Sequence, residues 1–206
     1  MENKKGLLIV ISGPAGRRKG TVTKKMLKES DDFGYSVSAT TRDPRPDERD
    51  GYDYYFISRE EFERKIENGE MMEYTTFCTG HLYGTLTSEA LRVIESGKDL
   101  LLEIEVLGGL NVKRLYPDAI LIMLLPPSYA VQEARLRGRG TDDEESILSR
   151  LERAKMEVGM LDRYDYVIYN EDGKVDECIE QIREIVRVER RAAKRNPDIP
   201  TTYFEN

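Results

Sequence analysis

One glycine-rich stretch carries three consecutive cations and is the part of this sequence best suited to chemistry: Gly13-Pro14-Ala15-Gly16-Arg17-Arg18-Lys19-Gly20-Thr21. The apolar run Leu7-Leu8-Ile9-Val10-Ile11 precedes it and reads as a buried parallel strand. Val22 to Glu29 follows and reads as a helix. Strand, glycine-rich turn, lysine and helix is the layout that cradles the phosphates of a nucleoside triphosphate. Backbone N–H groups and the positive end of the helix face the anion, and Lys19 reaches its terminal phosphates. The usual pattern has glycine directly before the lysine, where this chain has Arg18. If that position needs a conformation open only to glycine, an arginine adds roughly 1–2 kcal/mol of strain. Against this, Arg17 and Arg18 bring two positive charges to an anion site. Gly20 stands where such loops often carry a magnesium-binding hydroxyl, which leaves Thr21 as the nearest substitute. The alternative is a tight strand-to-helix connection with no ligand.

Four further sets could act on phosphate or a base. In Ser36-Val37-Ser38-Ala39-Thr40-Thr41-Arg42-Asp43-Pro44-Arg45-Pro46, two arginines stand three apart on a chain stiffened by prolines. Each planar guanidinium can bind two phosphate oxygens at once, so the pair could converge on one anion; a solvated basic loop is the other reading. Tyr54 and Tyr83 could donate phenol hydrogens to phosphate, or simply pack. Glu73, after Met71-Met72, could accept from a ligand N–H, since a buried carboxylate is costly without a partner; otherwise it is a surface glutamate. Glu103-Ile104-Glu105 closes an apolar strand, and alternation sends both carboxylates to one face. The carboxyl ends of strands line the ligand crevice of open α/β sheets, where two acids could hold hydrated magnesium and a ligand hydroxyl or N–H. A strand end emerging into solvent is the simpler account. Arg135, Arg139 and Arg150 surround Gly138, Gly140 and the acidic run Asp142-Asp143-Glu144-Glu145. Mobile arginines stabilise the charge spread over a moving phosphoryl group. A helix face paired with Glu144, Glu145 and Glu152 is the alternative.

The elements that must position these groups alternate. Apolar runs at Leu7–Ile11, Leu100–Leu102, Ala119–Leu125 and Tyr166–Tyr169 lie between helix-like segments, which predicts an α/β fold with a parallel sheet covered on both faces. The segment from Ser36 to about Ile94 breaks the rhythm and reads as an inserted mixed lobe, with a helix from Arg59 to Asn68 capped at Gly69. A second break, Arg135 to Met156, reads as an arginine-bearing lid in which Thr141 or Asp142 caps a new helix. Val175 to about Lys194 predicts a core-packing helix, and the tail after Asn196-Pro197 reads as loosely ordered. The boundaries are a core of 1–36, 94–134 and 157–195, a lobe of 37–93, a lid of 135–156 and a tail of 196–206. A net charge of −7 argues against a general partner for nucleic-acid polymers. Cys78, Cys178 and the single His81 form no metal or redox motif. The first apolar run is too short for a signal peptide core or a membrane span, so the expectation is a cytoplasmic protein with reduced thiols and no membrane partner.

In order and spacing these sets resemble the guanylate kinase (GMP kinase) family from about Gly6 to Arg190. The resemblance is carried by Ser-Ala-Thr-Thr-Arg-x-Pro-Arg-Pro, Asp-Glu-x-Asp-Gly-x-Asp-Tyr-Tyr-Phe, Tyr-Gly-Thr and Leu-Arg-Gly-Arg-Gly-Thr. It implies a P-loop nucleoside monophosphate kinase with a parallel-sheet core, an inserted GMP-binding lobe and a lid. By resemblance, Arg42, Arg45, Tyr54 and Tyr83 bind the GMP phosphate, while Ser38, Glu73 and Thr85 read guanine. Glu73 accepts from the guanine N1–H and exocyclic amine. Glu105 assists on the guanosine side, and Glu103, with Thr21, stands near magnesium. Gly13, Pro14, Ala15, Gly16, Arg17, Arg18, Lys19, Gly20 and Thr21 hold the ATP phosphates, and Asn170 lies beside the adenine. Lys19, Arg42, Arg135, Arg139 and Arg150 form the catalytic cation set. The chain departs from the family at Arg18, at Glu103 and Glu105 where aspartates are common, at Leu107 and Gly109 in place of Gln-Gly-Ala, and at His81 in a segment one residue longer than usual. The implied activity is magnesium-assisted phosphorylation of GMP, and also dGMP, by ATP in purine nucleotide metabolism, with a homo-oligomer left open. The alternative is a catalytically impaired binding module on the same scaffold, favoured by Arg18 alone. A kinase for another phosphate ester is a third reading, set against by Ser38, Glu73 and Thr85 together.

Overall fold

A strand that reads as an unbroken apolar run has to be covered on both faces, and alternation decides which residue goes to which face. A computed structural model describes residues 5–16, 19–76, 80–138 and 143–202. In chain order its elements are β1 (Leu8–Ser12), α1 (Lys19–Glu29), β2 (Phe33–Tyr35), β3 (Ser38–Thr40), β4 (Tyr55–Phe56) and α2 (Arg59–Glu67). Next come β5 (Met71–Thr76), β6 (Leu82–Leu86), α3 (Thr87–Glu95), β7 (Asp99–Glu103), α4 (Val106–Leu115), β8 (Ile120–Leu125) and α5 (Tyr129–Arg137). The chain then forms α6 (Glu144–Val158), β9 (Tyr166–Tyr169), α7 (Val175–Arg191) and α8 (Ile199–Thr202).

The core sheet is parallel throughout, in the order β2-β7-β1-β8-β9. Ile9, Ile11, Leu101, Ile120, Ile122 and Leu124 point to one face and pack with Val22 and Met26 of α1 and with Ile179, Ile182 and Val186 of α7. Leu8, Val10, Leu100, Leu102 and Leu121 point to the other, against Ala90 and Val93 of α3 and Leu110 and Val112 of α4. This is the expected α/β architecture. α3 falls inside the segment that the sequence boundaries assign to the lobe, yet its buried side chains belong to this core.

The inserted segment forms a second sheet, β4-β3-β6-β5, antiparallel except for the β3–β4 pair. One face is apolar: Ala39, Met71 and Leu82 bury Phe62 of α2. Ser58 caps α2 by accepting from the Glu61 N–H at 3.1 Å. The helix ends at Glu67, and Gly69 at φ +70° supplies the left-handed turn that stops it.

α5 and α6 form a hairpin whose Leu136, Ile147 and Leu151 pack together against Ala15. The cap of α6 is Asp143, which accepts from the Ser146 N–H at 2.7 Å. The expected caps Thr141 and Asp142 lie outside the described residues. α7 stops at Arg191, short of Lys194, where the Asn196 side-chain amide donates to the carbonyls of Arg190 and Ala192 and turns the chain. The tail, read from sequence as loose, contains the single turn α8. Among the described residues no helix is long and apolar enough to cross a membrane.

Candidate active site

The glycine-rich loop leaves the carboxyl end of β1, the central strand of the core sheet. Gly13 (φ 141°) and Gly16 (φ 86°) adopt backbone conformations that a side chain disfavours, so the turn depends on glycine at both. Arg17 and Arg18 lie outside the described residues, and α1 begins at Lys19, three residues after Gly16. The Glu103 carboxylate at the end of β7 lies against the first turn of α1: a Cβ built on Gly20 would be 3.7 Å from both its oxygens. Thr21 is the next residue, exposed and turned about 100° around the helix. Among the described residues no group of three or more His, Cys, Asp or Glu forms a metal cage.

Two side chains of α5 fasten the hairpin to this loop. Gln132 donates to the Ala15 carbonyl at 2.8 Å, and Arg135 donates to the carbonyls of Gly16 at 3.2 Å and Asn170 at 2.8 Å. Arg135 also pairs with Asp172 at 3.1 Å. Its side chain is 6% exposed, and its Nε is buried without a partner. The structure thus brings Gly16, Arg135 and the buried Asn170 together, with Arg135 tying the loop to the end of β9. Arg150 is exposed on α6, and Arg139 lies outside the described residues.

The expected pairing of Glu103 with Glu105 on one strand face does not form. β7 stops at Glu103, the chain leaves the sheet at Ile104, and Glu105 becomes the residue that precedes α4. The Glu105 carboxylate instead accepts from Arg153 of α6 at 3.2 Å, and Arg153 also bonds Glu157 at 2.9 Å. Arg153 and Glu157 carry no role in the sequence expectations, because nothing in their spacing shows that α6 comes back beside the start of α4.

The polar face of the second sheet gathers the other candidates. Ser38 on β3 is in register with Thr85 on β6, and Thr85 is in register with Glu73 on β5. Residues directly opposite share a face, so the three form one row across three strands. Glu73 is buried, and the Thr85 hydroxyl donates to its Oε1 at 2.8 Å. Its Oε2 abuts α4, where a Cβ on Gly108 would come within 3.2 Å. Gly108 is another residue that sequence reasoning missed: a side chain there would press on the carboxylate. The six residues from Glu103 to Gly108 thereby join the phosphate-loop end of the core to the carboxylate in the lobe. Gly109, where the family resemblance leads one to expect alanine, lies under other atoms: a Cβ would stand 2.7 Å from the Tyr164 hydroxyl and 2.9 Å from Ser12 Oγ.

Two residues along β6, Tyr83 lies on the same face as Thr85. Its hydroxyl accepts from Arg42 Nε at 3.1 Å, and its ring meets that of Tyr54 edge-on at 5.9 Å. The Arg42 guanidinium is 5.1 Å from the Tyr54 centroid and 5.5 Å from that of Phe56. Glu48, absent from the expected set, accepts from both terminal nitrogens of Arg42 at 2.6 Å. That contact holds the Glu48 carboxyl down at about 2, with further help from the Arg45 N–H. The Arg45 side chain itself is exposed. Burial raises the Tyr54 phenol above its ordinary range, so Tyr54 is a neutral donor at physiological pH.

Chemically, the lobe offers a row of one carboxylate and two hydroxyls, suited to a planar ligand edge that presents several N–H groups, beside cationic and phenolic donors suited to one phosphate. The loop of the core offers a helix N-terminus suited to a second, polyphosphate ligand.

Comparison with known proteins gives a consistent result. The family model described as guanylate kinase matches residues 5–189. The chain is 47% identical to a guanylate kinase of Lactococcus lactis over 186 residues, covering 90% of this chain and 89% of that one. It is 45% identical to a guanylate kinase of Thermotoga maritima over 194 residues, covering 94% and 92%. Among solved structures, the crystal structure of guanylate kinase from Anaplasma phagocytophilum superposes with a TM-score of 0.69 at 32% identity, covering 90% of this chain and 87% of that one.

Proposed function

The chain belongs to the guanylate kinase family, and from that premise we propose that it transfers the γ-phosphoryl group of ATP to GMP. A phosphate oxygen of GMP attacks the γ-phosphorus, the bond to the β,γ-bridging oxygen breaks, and ADP and GDP leave. Such a transfer needs alignment, charge neutralisation and exclusion of water more than covalent help.

The observation that carries the assignment of guanine is the row of Ser38, Thr85 and the buried Glu73. The guanine edge presents N1–H and an exocyclic amine side by side, and Glu73 Oε2 is an acceptor for that pair. Adenine presents an unprotonated N1 there and leaves the carboxylate without its donor. Arg42, Tyr83 and Tyr54 receive the GMP phosphate beside this row, and Arg45 closes on it from the exposed loop. dGMP differs only at the sugar and is accepted as well.

On the donor side, the N–H groups of the Gly13–Gly16 loop and the start of α1 receive the ATP phosphates, with Lys19 on the terminal ones. Arg135 sets the loop and Asn170 together, where the adenine lies. Arg139 and Arg150 of the hairpin supply charge to the transferring group as the hairpin closes. Glu103, whose carboxylate lies against the first turn of α1, would hold a magnesium ion that keeps most of its waters, and the Thr21 hydroxyl, turned about 100° away, would be reached through one of those waters. Held there, such an ion would supply charge neutralisation to the ATP phosphates. Glu105, held by Arg153, lies on the guanosine side. We place the reaction in the cytoplasm, in purine nucleotide metabolism.

The test is acceptor specificity. ADP formation from ATP and magnesium is measured with GMP, dGMP, AMP, CMP or UMP as acceptor. The reading expects turnover with GMP and dGMP only. Equal turnover with AMP would refute the role given to Glu73.

A further inference from the structure

Glu48 carries no expected role, yet it holds the acceptor-phosphate corner together. Its Oε1 accepts from Arg42 Nη2 and its Oε2 from Arg42 Nη1, each at 2.6 Å. Oε2 also accepts from the backbone N–H of Arg45 at 2.9 Å, and the Glu48 N–H returns a bond to the Arg45 carbonyl at 3.0 Å. Arg42 Nε donates to Tyr83, and Nη1 donates also to the Asp43 carbonyl at 2.9 Å. All but one of the N–H bonds of the guanidinium are therefore directed at protein acceptors. The side chain is 12% exposed and flanked by the rings of Tyr54 and Phe56. An arginine held this fully cannot search for its ligand; its place is set before the ligand arrives, which lowers the ordering cost of binding.

We propose that Glu48 is a positioning residue for the acceptor nucleotide, fixing the Arg42 guanidinium and the Arg45 backbone in the arrangement that receives the GMP phosphate. The proposal rests on the guanylate kinase reading. Glu48 could instead be an internal anion that fills the Arg42 fork and competes with phosphate. Its bonds to the Arg45 backbone favour positioning, because they shape the loop whether or not the fork is open.

Equilibrium GMP binding, Michaelis constants for GMP and ATP, and thermal unfolding of the full chain decide between them, using Glu48→Gln and Glu48→Asp. Glutamine keeps the size but loses the charge and one acceptor. The positioning role predicts GMP binding weakened roughly tenfold to hundredfold in Glu48→Gln, with the ATP constant unchanged and Glu48→Asp in between. Adding Glu48→Gln to Arg42→Gln should weaken GMP binding by less than Glu48→Gln does alone, because the part of its effect that passes through Arg42 is already lost. Unchanged or tighter GMP binding in Glu48→Gln would overturn the proposal, and tighter binding would identify a competitor. Parallel losses for GMP and ATP with a lowered melting temperature would also overturn it, as general structural damage. Failure of the unmodified chain to bind GMP would sink the kinase reading itself, a result distinct from wild-type binding that Glu48→Gln leaves intact.

Discussion

Glu73 concentrates the chemistry of base choice in one buried carboxylate, with Thr85 on one oxygen and the glycine surface of α4 against the other. Replacing it by glutamine exchanges an acceptor for an amide donor opposite the guanine N–H groups. Glu73→Gln should raise the Michaelis constant for GMP roughly tenfold to hundredfold and leave that for ATP alone, as initial rates will show. Glu48 makes a titration prediction. Its folded carboxyl is depressed to about 2 by Arg42, so its contribution is complete above the ordinary carboxylate range and is lost as pH falls towards 2. The carboxyl carbon resonance of Glu48 should titrate near that value and move back up in Arg42→Gln. Cys178, on the core-facing side of α7, has its thiol pushed up to about 11 by burial. In a Cys78→Ser variant the remaining thiol should react with a thiol reagent only after unfolding. At this scale the sequence was informative where chemistry is periodic. Tyr83 and Thr85 stand two apart on a strand, and Arg42 and Arg45 lie in a stiffened motif. It gave no role to Glu48, though Glu48 stands in a motif that carries the family resemblance, or to Arg153, because their partners are chosen by how loop 43–53 and helix α6 fold back.

The row of Ser38, Thr85 and Glu73 exists only because β3, β6 and β5 hold their register, and Gly84 is where that register is tightest. A Cβ on Gly84 would stand 2.7 Å from the Glu73 carbonyl and 3.0 Å from the Phe62 ring. Gly84→Ala should push β5 away from β6, cost about 1–3 kcal/mol in denaturant unfolding, and weaken GMP binding more than ATP binding. Asp143→Ala removes the cap of α6 and should cost about 0.5–2 kcal/mol by the same measure. The short apolar runs of β1, β7 and β8 were legible as strands because a parallel sheet buries both faces of each, while β9 at the edge leaves Val167 and Tyr169 exposed. The end of β7 was not legible. Apolar patterning continues through Ile104, but that side chain packs beside α4 after the strand has ended, so Glu105 joins a helix start rather than the strand face. The sequence counts α3 with the lobe because it follows β6 without a break, and its Ala90 and Val93 pack in the core.

Across the whole molecule, donor and acceptor sites are linked by short segments rather than by one cavity wall. Residues 103–108 run from the first turn of α1 to Glu73, Arg135 ties the phosphate loop to Asn170, and Arg153 ties α6 to Glu105. A kinase of this kind depends on all three links when its hairpin and lobe close over two nucleotides. The family pattern was legible along nearly the full chain, with Arg18 standing where the phosphate loop usually has glycine. The most direct test is therefore ADP formation by the purified chain with ATP, magnesium and GMP, run beside Lys19→Ala and Arg18→Gly. GMP-dependent turnover in the unmodified chain, severely reduced by Lys19→Ala, is the predicted result and shows that the loop works with arginine in place of glycine. Turnover that appears only in Arg18→Gly would contradict it, leaving a disabled kinase that retains a GMP pocket.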